Sequence, residues 1–242
     1  MNGILYMSAT HELGHWLNLM DSYLADSNMA NIFDRIAPGW YGFRHRSIFT
    51  PELEALAARW QKGRLLNLGC AHCPDFVPFR SGFELHGIDL SAEMLRLARK
   101  YAAKFDFQAS LVRGDVAYLP YSEASFDFAI SVATYHHLET PEKRLMALEE
   151  LRRVLRPGGE AFVTVWNRRL PRFWFAGNPV QVPWHTKNEI LYRYYYLFTY
   201  GEIEKLARQA GLEVLRSFPE HGYRWPLKAF SRNVCLLLRK PE

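Results

Sequence analysis

Long hydrophobic runs and a framework of paired cysteines are both missing from this sequence of 242 residues. No stretch approaches the roughly 20 uninterrupted apolar residues that a membrane-spanning helix needs. The N-terminus also lacks the basic and apolar segments of a secretory signal, so no such signal is expected. The three cysteines, Cys70, Cys73 and Cys235, are an odd number without disulfide-framework spacing. We therefore expect a cytoplasmic protein with no membrane partner.

No strong excess of either charge is present. Lysine and arginine together number 30, aspartate and glutamate 25, and the formal net charge is +5. With 49% hydrophobic and 23% charged residues, the composition excludes a disordered or fibrous chain. A small basic excess permits a nucleic-acid partner without requiring one.

Apolar strand-like segments alternate with amphipathic helical segments along most of the chain. Strands are predicted at 64–70, 84–90, 108–113, 126–132, 160–166, 213–218 and 234–239. Helices are predicted between them, at 52–60, after the N-cap Ser91, at 141–156 and at 201–210. This alternation predicts an α/β fold with a doubly wound, mostly parallel, seven-stranded sheet.

Two segments stand outside this alternation. Residues 1–50 are predicted to form an N-terminal helical extension that packs on the core, followed by the main domain at 51–242. Residues 167–198 combine proline and glycine with many aromatic and basic side chains, and are predicted to form an insertion after the fifth strand that caps the substrate site.

Acidic residues lie at the carboxyl ends of the second and third predicted strands, where ligands bind in a doubly wound sheet. Asp89 lies 20 residues beyond Gly69 of the first strand-to-helix loop, and a carboxylate there can accept both hydroxyls of a ribose. Asp115 can reach the amine of an adenine. The loop lacks the third glycine of a dinucleotide site, so we predict a site for an adenosine. The alternative is that both aspartates only cap the helices that follow them.

Together with FDFA at 126–129 and LRRVLRPGG at 151–159, these residues resemble the class I S-adenosylmethionine methyltransferases. From about Asn31 onward, the order of further motifs resembles the tRNA wobble-uridine carboxymethyl methyltransferases, which esterify a 5-carboxymethyl-type uridine in the anticodon. The motifs are ISVATYHH at 130–137, PGG at 157–159 leading into VW at 165–166, VPWH at 182–185, RYYY at 193–196 and GE at 201–202.

The resemblance implies S-adenosylmethionine as the cofactor. The cofactor-binding residues that it implies are Asn67, Gly69, Cys70, Ala71, Asp89, Leu90, Asp115, Val116 and Ser131. Where the family has an acidic residue and later glycines, this chain has Asn67, Ala71 and Cys73. Glycine adopts positive φ at little cost, so the two larger residues are expected to tighten or distort the pocket. Asn67 cannot neutralise the cofactor's ammonium group.

A carboxylate substrate with a pKa near 4 is ionised at neutral pH, so its methylation needs alignment and no general base. The catalytic candidates are Arg44 and Arg46, which would anchor the acid or a neighbouring phosphate, Tyr135, and His136 as a donor to the substrate. The substrate-binding candidates are His137, Trp166, Trp184 and Arg193. Arg44 and Arg46 could alternatively belong to a solvated charged loop. Trp166 and residues 194–196 could alternatively be buried in the core.

The resemblance implies the tRNA anticodon loop as partner, together with a small zinc-binding activator subunit. A small-molecule O- or C-methyltransferase is the main alternative, and the third is a cofactor-free binding protein on the same scaffold. The small-molecule enzyme would share every cofactor residue, and a closed apolar lid in place of a basic groove would favour it.

Two short motifs suggest metal chemistry. His11, Glu12 and His15 form an HExxH motif, which on a helix can bind zinc. Ten preceding residues cannot build a peptidase cleft, so an amphipathic helix is favoured. Cys70 and Cys73 form a single CxxC, whereas a zinc site needs four ligands. No metal site is predicted.

Overall fold

The computed structural model describes residues 28–242, and the N-terminal HExxH motif lies outside them. The helices are α1 (Asn28–Phe43), α2 (Thr50–Trp60), α3 (Ala92–Phe105), α4 (Pro141–Val154) and α5 (Tyr200–Gln209). The strands are β1 (Gly63–Leu68), β2 (Phe83–Asp89), β3 (Ser110–Arg113), β4 (Phe126–Val132), β5 (Leu155–Trp166), β6 (Val180–His185), β7 (Ile190–Tyr195), β8 (Glu213–Pro219) and β9 (Asn233–Arg239).

Seven of these strands form one twisted sheet in the order β3-β2-β1-β4-β5-β9-β8. Strands β1 to β5 run parallel, whereas β9 is antiparallel to both β5 and β8. Leu66 of β1 pairs with His86 of β2 on one side and with Ala129 of β4 on the other. The chain order therefore reverses beside β1, which is where a doubly wound sheet binds ligands. The predicted fold class is confirmed.

The central strands are buried on both faces, as the apolar run of β1 predicted. Leu65 and Leu66 are both fully buried and belong to different core clusters. Helices α4 and α5 cover one face of the sheet, and α2 and α3 cover the other. Helices α3 and α5 begin at conventional caps: the Ser91 hydroxyl accepts a hydrogen bond from the Met94 amide, and Thr199 forms a capping box with Glu202.

The insertion after β5 contains an antiparallel hairpin, β6-β7, which the sequence prediction did not include. Helix α1 lies against this hairpin and against α3. Its buried Ile36 shares a cluster with Leu97 of α3 and Leu191 of β7. The division at residue 50 stays a prediction. Within residues 28–242 no helix is long and apolar enough to span a membrane.

Candidate functional site

A cavity of about 500 Å³ opens at the carboxyl ends of the central strands. This volume lies within the roughly 300–1,000 Å³ range of small-molecule sites. One part of its wall comes from the loops after β1, β2 and β3, and another from α1, β5 and β7. The sequence-predicted residues that line it are Arg44, Arg46, Gly69, Ala71, Asp89, Leu90, Asp115, Val116, His137, Trp166 and Arg193.

Asp89 ends β2 and connects two loops of the cavity. Its Oδ2 accepts a hydrogen bond from the Ala71 amide at 2.7 Å, and its Oδ1 accepts one from the Ser91 amide at 2.9 Å. Burial raises the pKa of Asp89 to about 6, and the nearby Asp34 carboxylate acts in the same direction. Asp89 is thus ionised at neutral pH and is held with an acceptor facing the cavity.

The loop after β1 has the backbone conformation that glycine favours. Gly69 has φ +70°, and a Cβ added there would lie 2.3 Å from Thr134 Oγ1. Ala71 and Cys73 also have positive φ, 47° and 67°. The conformational cost expected for both residues is therefore present, yet the cavity beside Ala71 is open.

Asp115 follows β3 on the same side of the cavity. Its Oδ1 accepts a hydrogen bond from the Ala117 amide at 3.0 Å, and Lys143 Nζ lies 3.5 Å from its Oδ2. Asp89 and Asp115 therefore make local capping contacts and also line the cavity. The capping alternative and the ligand-binding prediction are compatible.

Arg193 of β7 is a buried cation at the opposite wall, with only 6% of its surface exposed. Its Cζ lies 5.8 Å, 5.3 Å and 5.4 Å from the ring centroids of Trp40, Trp184 and Tyr195. No carboxylate pairs with Arg193 in the part of the chain that the structure describes, and its Nε has no hydrogen-bond partner there. The aromatic rings thus surround a positive charge that lacks an anion.

The two adjacent histidines differ in position. His137 lines the cavity, and its Nδ1 lies 3.0 Å from the carbonyl oxygen of Tyr194. Burial lowers the pKa of His137 to about 4, so the ring is neutral at pH 7. His136 is fully buried behind the Tyr195 ring, at 4.7 Å between nearly parallel rings, and burial lowers its pKa as well.

Two catalytic candidates therefore need correction. His136 does not line the cavity, because its fully buried ring stacks on Tyr195, so this structure shows no surface of His136 that a substrate could contact. Tyr135 is buried in the core, where its hydroxyl donates to the Ala147 carbonyl at 3.0 Å. Burial also raises the pKa of the Tyr135 phenol, so this residue is a packing element with an internal hydrogen bond.

Four further candidates lie behind the cavity wall. The Ser131 hydroxyl donates to the Leu68 carbonyl at 3.2 Å, and Cys70 is fully buried beneath the loop after β1. Asn67 is also fully buried. Trp184 packs on Trp40 at 5.4 Å between ring centroids, and Arg193 Cζ lies 5.3 Å from its ring centroid. None of the four lines the cavity, so their contribution to it is through packing.

Comparison with known proteins agrees with this geometry. Residues 65–159 match the model of a methyltransferase domain family. A methyltransferase predicted in Encephalitozoon cuniculi is 33% identical over 168 residues, which is 65% of this chain and 72% of that protein. The chain belongs to the S-adenosylmethionine-dependent methyltransferases.

Further similar proteins include a tRNA methyltransferase and a methyltransferase of solved structure. The tRNA (carboxymethyluridine(34)-5-O)-methyltransferase of Schizosaccharomyces pombe is 26% identical over 218 residues, which is 79% of this chain and 90% of that enzyme. The solved structure of the CcbJ methyltransferase from Streptomyces caelestis superposes with a TM-score of 0.72 at 19% identity, and covers 89% of this chain and 100% of that one. The latter similarity supports the fold.

The cavity of this methyltransferase suits its cofactor. Asp89 and Asp115 present carboxylates from adjacent strands, at the positions expected for the ribose and the adenine. The absent Cβ of Gly69 leaves room where the loop backbone passes Thr134. The individual roles of these residues stay predictions.

Several lining residues were missed from the sequence. Phe33 and Trp40 belong to α1, and Tyr195 belongs to the unpredicted hairpin. For Phe33 and Trp40 the signal was their spacing of seven residues, which places both on the same face of a helix as the apolar Ile36 and Ala37. Asp75 was also missed, although it is the acidic residue within the loop after β1.

Proposed function

We propose that this methyltransferase esterifies a carboxylate, namely that of a 5-carboxymethyl-type wobble uridine in tRNA. The observation that carries this proposal is the buried Arg193, which pairs with no carboxylate within residues 28–242. Burying a charge without a partner is costly, so the site is incomplete until an anionic group binds. A guanidinium can bind a carboxylate through two parallel hydrogen bonds, which fixes the orientation of the acid.

The chemistry of a carboxylate acceptor fits the protonation states of the site. A carboxylate is ionised at neutral pH, so no side chain has to remove a proton from it. His137 is neutral, and its Nδ1 donates to the Tyr194 carbonyl, which leaves Nε2 as an acceptor. We therefore assign His137 to accept a hydrogen bond from the uridine, in place of the donor role expected of His136.

The remaining residues orient the reactants and exclude water. When bound, S-adenosylmethionine supplies an electrophilic methyl group on sulfur. Asp89 and Asp115 would hold its adenosine portion, while Arg193 would hold the acceptor oxygen in line with that methyl group. Trp40, Trp166 and Tyr195 surround the acceptor side with apolar surface, which reduces competition from water.

The surface near the cavity supports a tRNA substrate. Trp174 and Phe175 of the insertion are 57% and 100% exposed, and Arg172 lies 4.6 Å above the Trp166 ring of the cavity wall. Arg232 is close enough to lower the pKa of Arg172, after the larger effect of burial. Exposed aromatic rings among arginines can stack unpaired bases and bind phosphates, as an anticodon loop requires. The name of the S. pombe relative supports the same substrate class.

An activator subunit belongs to the same proposal. A methyltransferase predicted in Haloferax volcanii was solved as a complex with the methyltransferase activator Trm112. The structural match between the two proteins covers 87% of this chain and 98% of that one, at 19% identity and a TM-score of 0.61. Strand β3 lies at one end of the sheet and has a free edge in the described chain. We assign this edge to pair with a small zinc-binding activator.

Transfer of labelled methyl groups tests the proposal. The full chain, with and without a coexpressed activator, is incubated with methyl-labelled S-adenosylmethionine and one of three acceptors: tRNA containing 5-carboxymethyluridine, the same tRNA with unmodified uridine, or free 5-carboxymethyluridine nucleoside. We expect label only in the first tRNA. Equal transfer to the free nucleoside would favour the small-molecule alternative, and no transfer to any acceptor in the presence of the activator would refute the proposed substrate.

A further inference from the structure

Asp75 is a buried carboxylate in the cavity wall that has no role in the proposed methyl transfer. It lies in the 3₁₀ helix Pro74–Phe79, directly after the left-handed residue Cys73. Only 6% of its surface is exposed, and that part faces the cavity. The loop after β1 thus places a carboxylate beside the bound ligand.

The charge of Asp75 is poorly compensated by the protein. Burial raises the pKa of Asp75 to about 6, while Ser47, Arg44 and Asn67 act to lower it. The group is therefore mainly ionised at pH 7. No Lys, Arg or His nitrogen lies within 4.0 Å of it in residues 28–242, so it forms no direct ion pair there. A cationic ligand group would complete this site.

Asn67 lies next to the Asp75 carboxylate but cannot supply a negative charge in its place. Neither polar atom of its fully buried side chain has a hydrogen-bond partner within normal geometry, although the amide lies close enough to Asp75 to favour its ionised form. Because this amide carries no charge, Asp75 is the anion of this part of the cavity wall.

The orientation of the cofactor brings its amino-acid end to this place. Asp115 lies just after β3 and Asp89 ends β2, where the adenine and the ribose are expected, so the methionine portion would extend toward the loop after β1. That portion is a zwitterion, and the wall there offers both signs of charge. Arg44 lies near enough to Asp75 for each to affect the pKa of the other.

We propose that Asp75 binds the α-ammonium group of S-adenosylmethionine, and so supplies the negative charge that Asn67 lacks. Asp75 is thereby a cofactor-binding residue, while Arg44 lies on the side where the α-carboxylate would sit. The proposal concerns cofactor binding and is independent of the tRNA substrate.

Calorimetric titration with two probes tests the proposal without any catalytic turnover. The probes are S-adenosylhomocysteine and its analogue with hydrogen in place of the α-amino group. We expect wild type to bind the first probe roughly tenfold to hundredfold more tightly, the range for a hydrogen bond between charged groups. Asp75→Asn should lose this preference and should bind the analogue as wild type does. Equal binding of both probes by wild type overturns the proposal and needs no variant.

Two matched variants separate ammonium binding from a structural role. Asn67→Asp combined with Asp75→Asn moves the carboxylate to the adjacent side chain, and is expected to regain most of the preference for the amino-bearing probe. Asp89→Asn should lower the affinity for both probes by the same factor, because both contain the ribose. If Asp75→Asn keeps the wild-type preference, or if it loses affinity for both probes equally, Asp75 does not bind the ammonium group.

Discussion

The Asp89 carboxylate and the Ala71 amide are joined by a hydrogen bond of 2.7 Å, which ties the end of β2 to the loop after β1. Ala71 makes this contact with a φ of 47°, in a region that alanine rarely adopts. The bond therefore holds a backbone conformation that costs about 1–2 kcal/mol for an L-residue. This strained loop thereby holds the Asp89 carboxylate in place at the cavity wall.

Ala71→Gly is expected to stabilise the protein. Glycine removes the steric cost at φ 47°, and the entropy that it adds to the unfolded chain offsets about 0.5–1 kcal/mol of the gain. The free energy of unfolding should rise by up to about 1 kcal/mol, measured by urea denaturation. Gly69→Ala is the matched control and should lose about 2 kcal/mol, because its Cβ would meet Thr134 Oγ1 at 2.3 Å. A loss of stability in Ala71→Gly contradicts this explanation.

Cofactor affinity should decrease in mild acid. The pKa of Asp89 in the free protein is about 6, and the ribose hydroxyls need an ionised acceptor. Below pH 6 each pH unit reduces the ionised fraction tenfold, so the affinity for S-adenosylhomocysteine should fall by about tenfold per unit. Asp75 also has a pKa of about 6 and can steepen the slope.

Calorimetry between pH 5 and pH 8 measures this effect, and Asp89→Asn is its control. The variant should bind S-adenosylhomocysteine weakly at pH 8. Its affinity should also fall with decreasing pH by about tenfold less per pH unit than the affinity of wild type. A wild-type affinity that is constant down to pH 5 would show that the Asp89 charge does not contribute to binding.

His72 should make folding stability depend on pH. Its ring is buried between Tyr41 and Tyr101, its Nε2 lies 2.6 Å from the Arg44 carbonyl oxygen, and burial lowers its pKa to about 4. The unfolded chain, with a histidine pKa near 6.5, binds the proton first as pH falls. The stabilisation that His72 contributes is therefore present above pH 6.5 and is lost toward pH 4.

Comparison with His72→Gln isolates this contribution from the opposing effect of Asp75 and Asp89, whose raised pKa values favour the folded state in acid. Between pH 7 and pH 5 the stability of wild type relative to the variant should fall by about 2 kcal/mol, since one pKa unit corresponds to about 1.36 kcal/mol. Urea denaturation at both pH values provides the measurement. A difference that does not change with pH would mean that His72 is protonated equally in both states.

Arg193→Met should lower the activity with the tRNA substrate and leave the affinity for the cofactor nearly unchanged. The variant keeps an extended apolar side chain among Trp40, Trp184 and Tyr195, but it removes the charge that would bind the acceptor. We expect kcat/KM for the carboxymethyluridine tRNA to fall by roughly tenfold to hundredfold, and the affinity for S-adenosylhomocysteine to stay within about twofold.

Arg193→Lys tests the geometry of the same contact. Lysine keeps the charge but cannot bind a carboxylate through two parallel hydrogen bonds, so we expect kcat/KM between those of wild type and Arg193→Met. Full activity of Arg193→Met with the tRNA would exclude Arg193 as the carboxylate anchor.

Regular features of the sequence predicted most of the fold. The apolar runs of the seven strands and caps such as Ser91 depend on short segments of chain, so they could be read directly. Asp89 and Asp115 were found for the same reason, because each lies at or just beyond the carboxyl end of a predicted strand. The β6-β7 hairpin was missed because half of its residues face α1 and the cavity, so its pairing depends on tertiary contacts.

Which of the two rings, His136 or His137, lines the cavity could not be predicted from the sequence. A short 3₁₀ helix, Tyr135–His137, points adjacent side chains in different directions. The β7 hairpin then decides which ring reaches the cavity, because Tyr195 covers His136. Asp75 was missed for a similar reason: the left-handed Cys73 turns the following residues toward the cavity.

Mass spectrometry of the nucleosides from methylated tRNA tests the central claim most directly. Anticodon-modified tRNA is treated with the full chain, the coexpressed candidate activator and S-adenosylmethionine, and portions are digested to nucleosides before and after treatment with mild alkali. The account predicts one added methyl group on 5-carboxymethyluridine, which alkali removes as expected for an ester. A methyl group on any other nucleoside, or one that alkali does not remove, would contradict it.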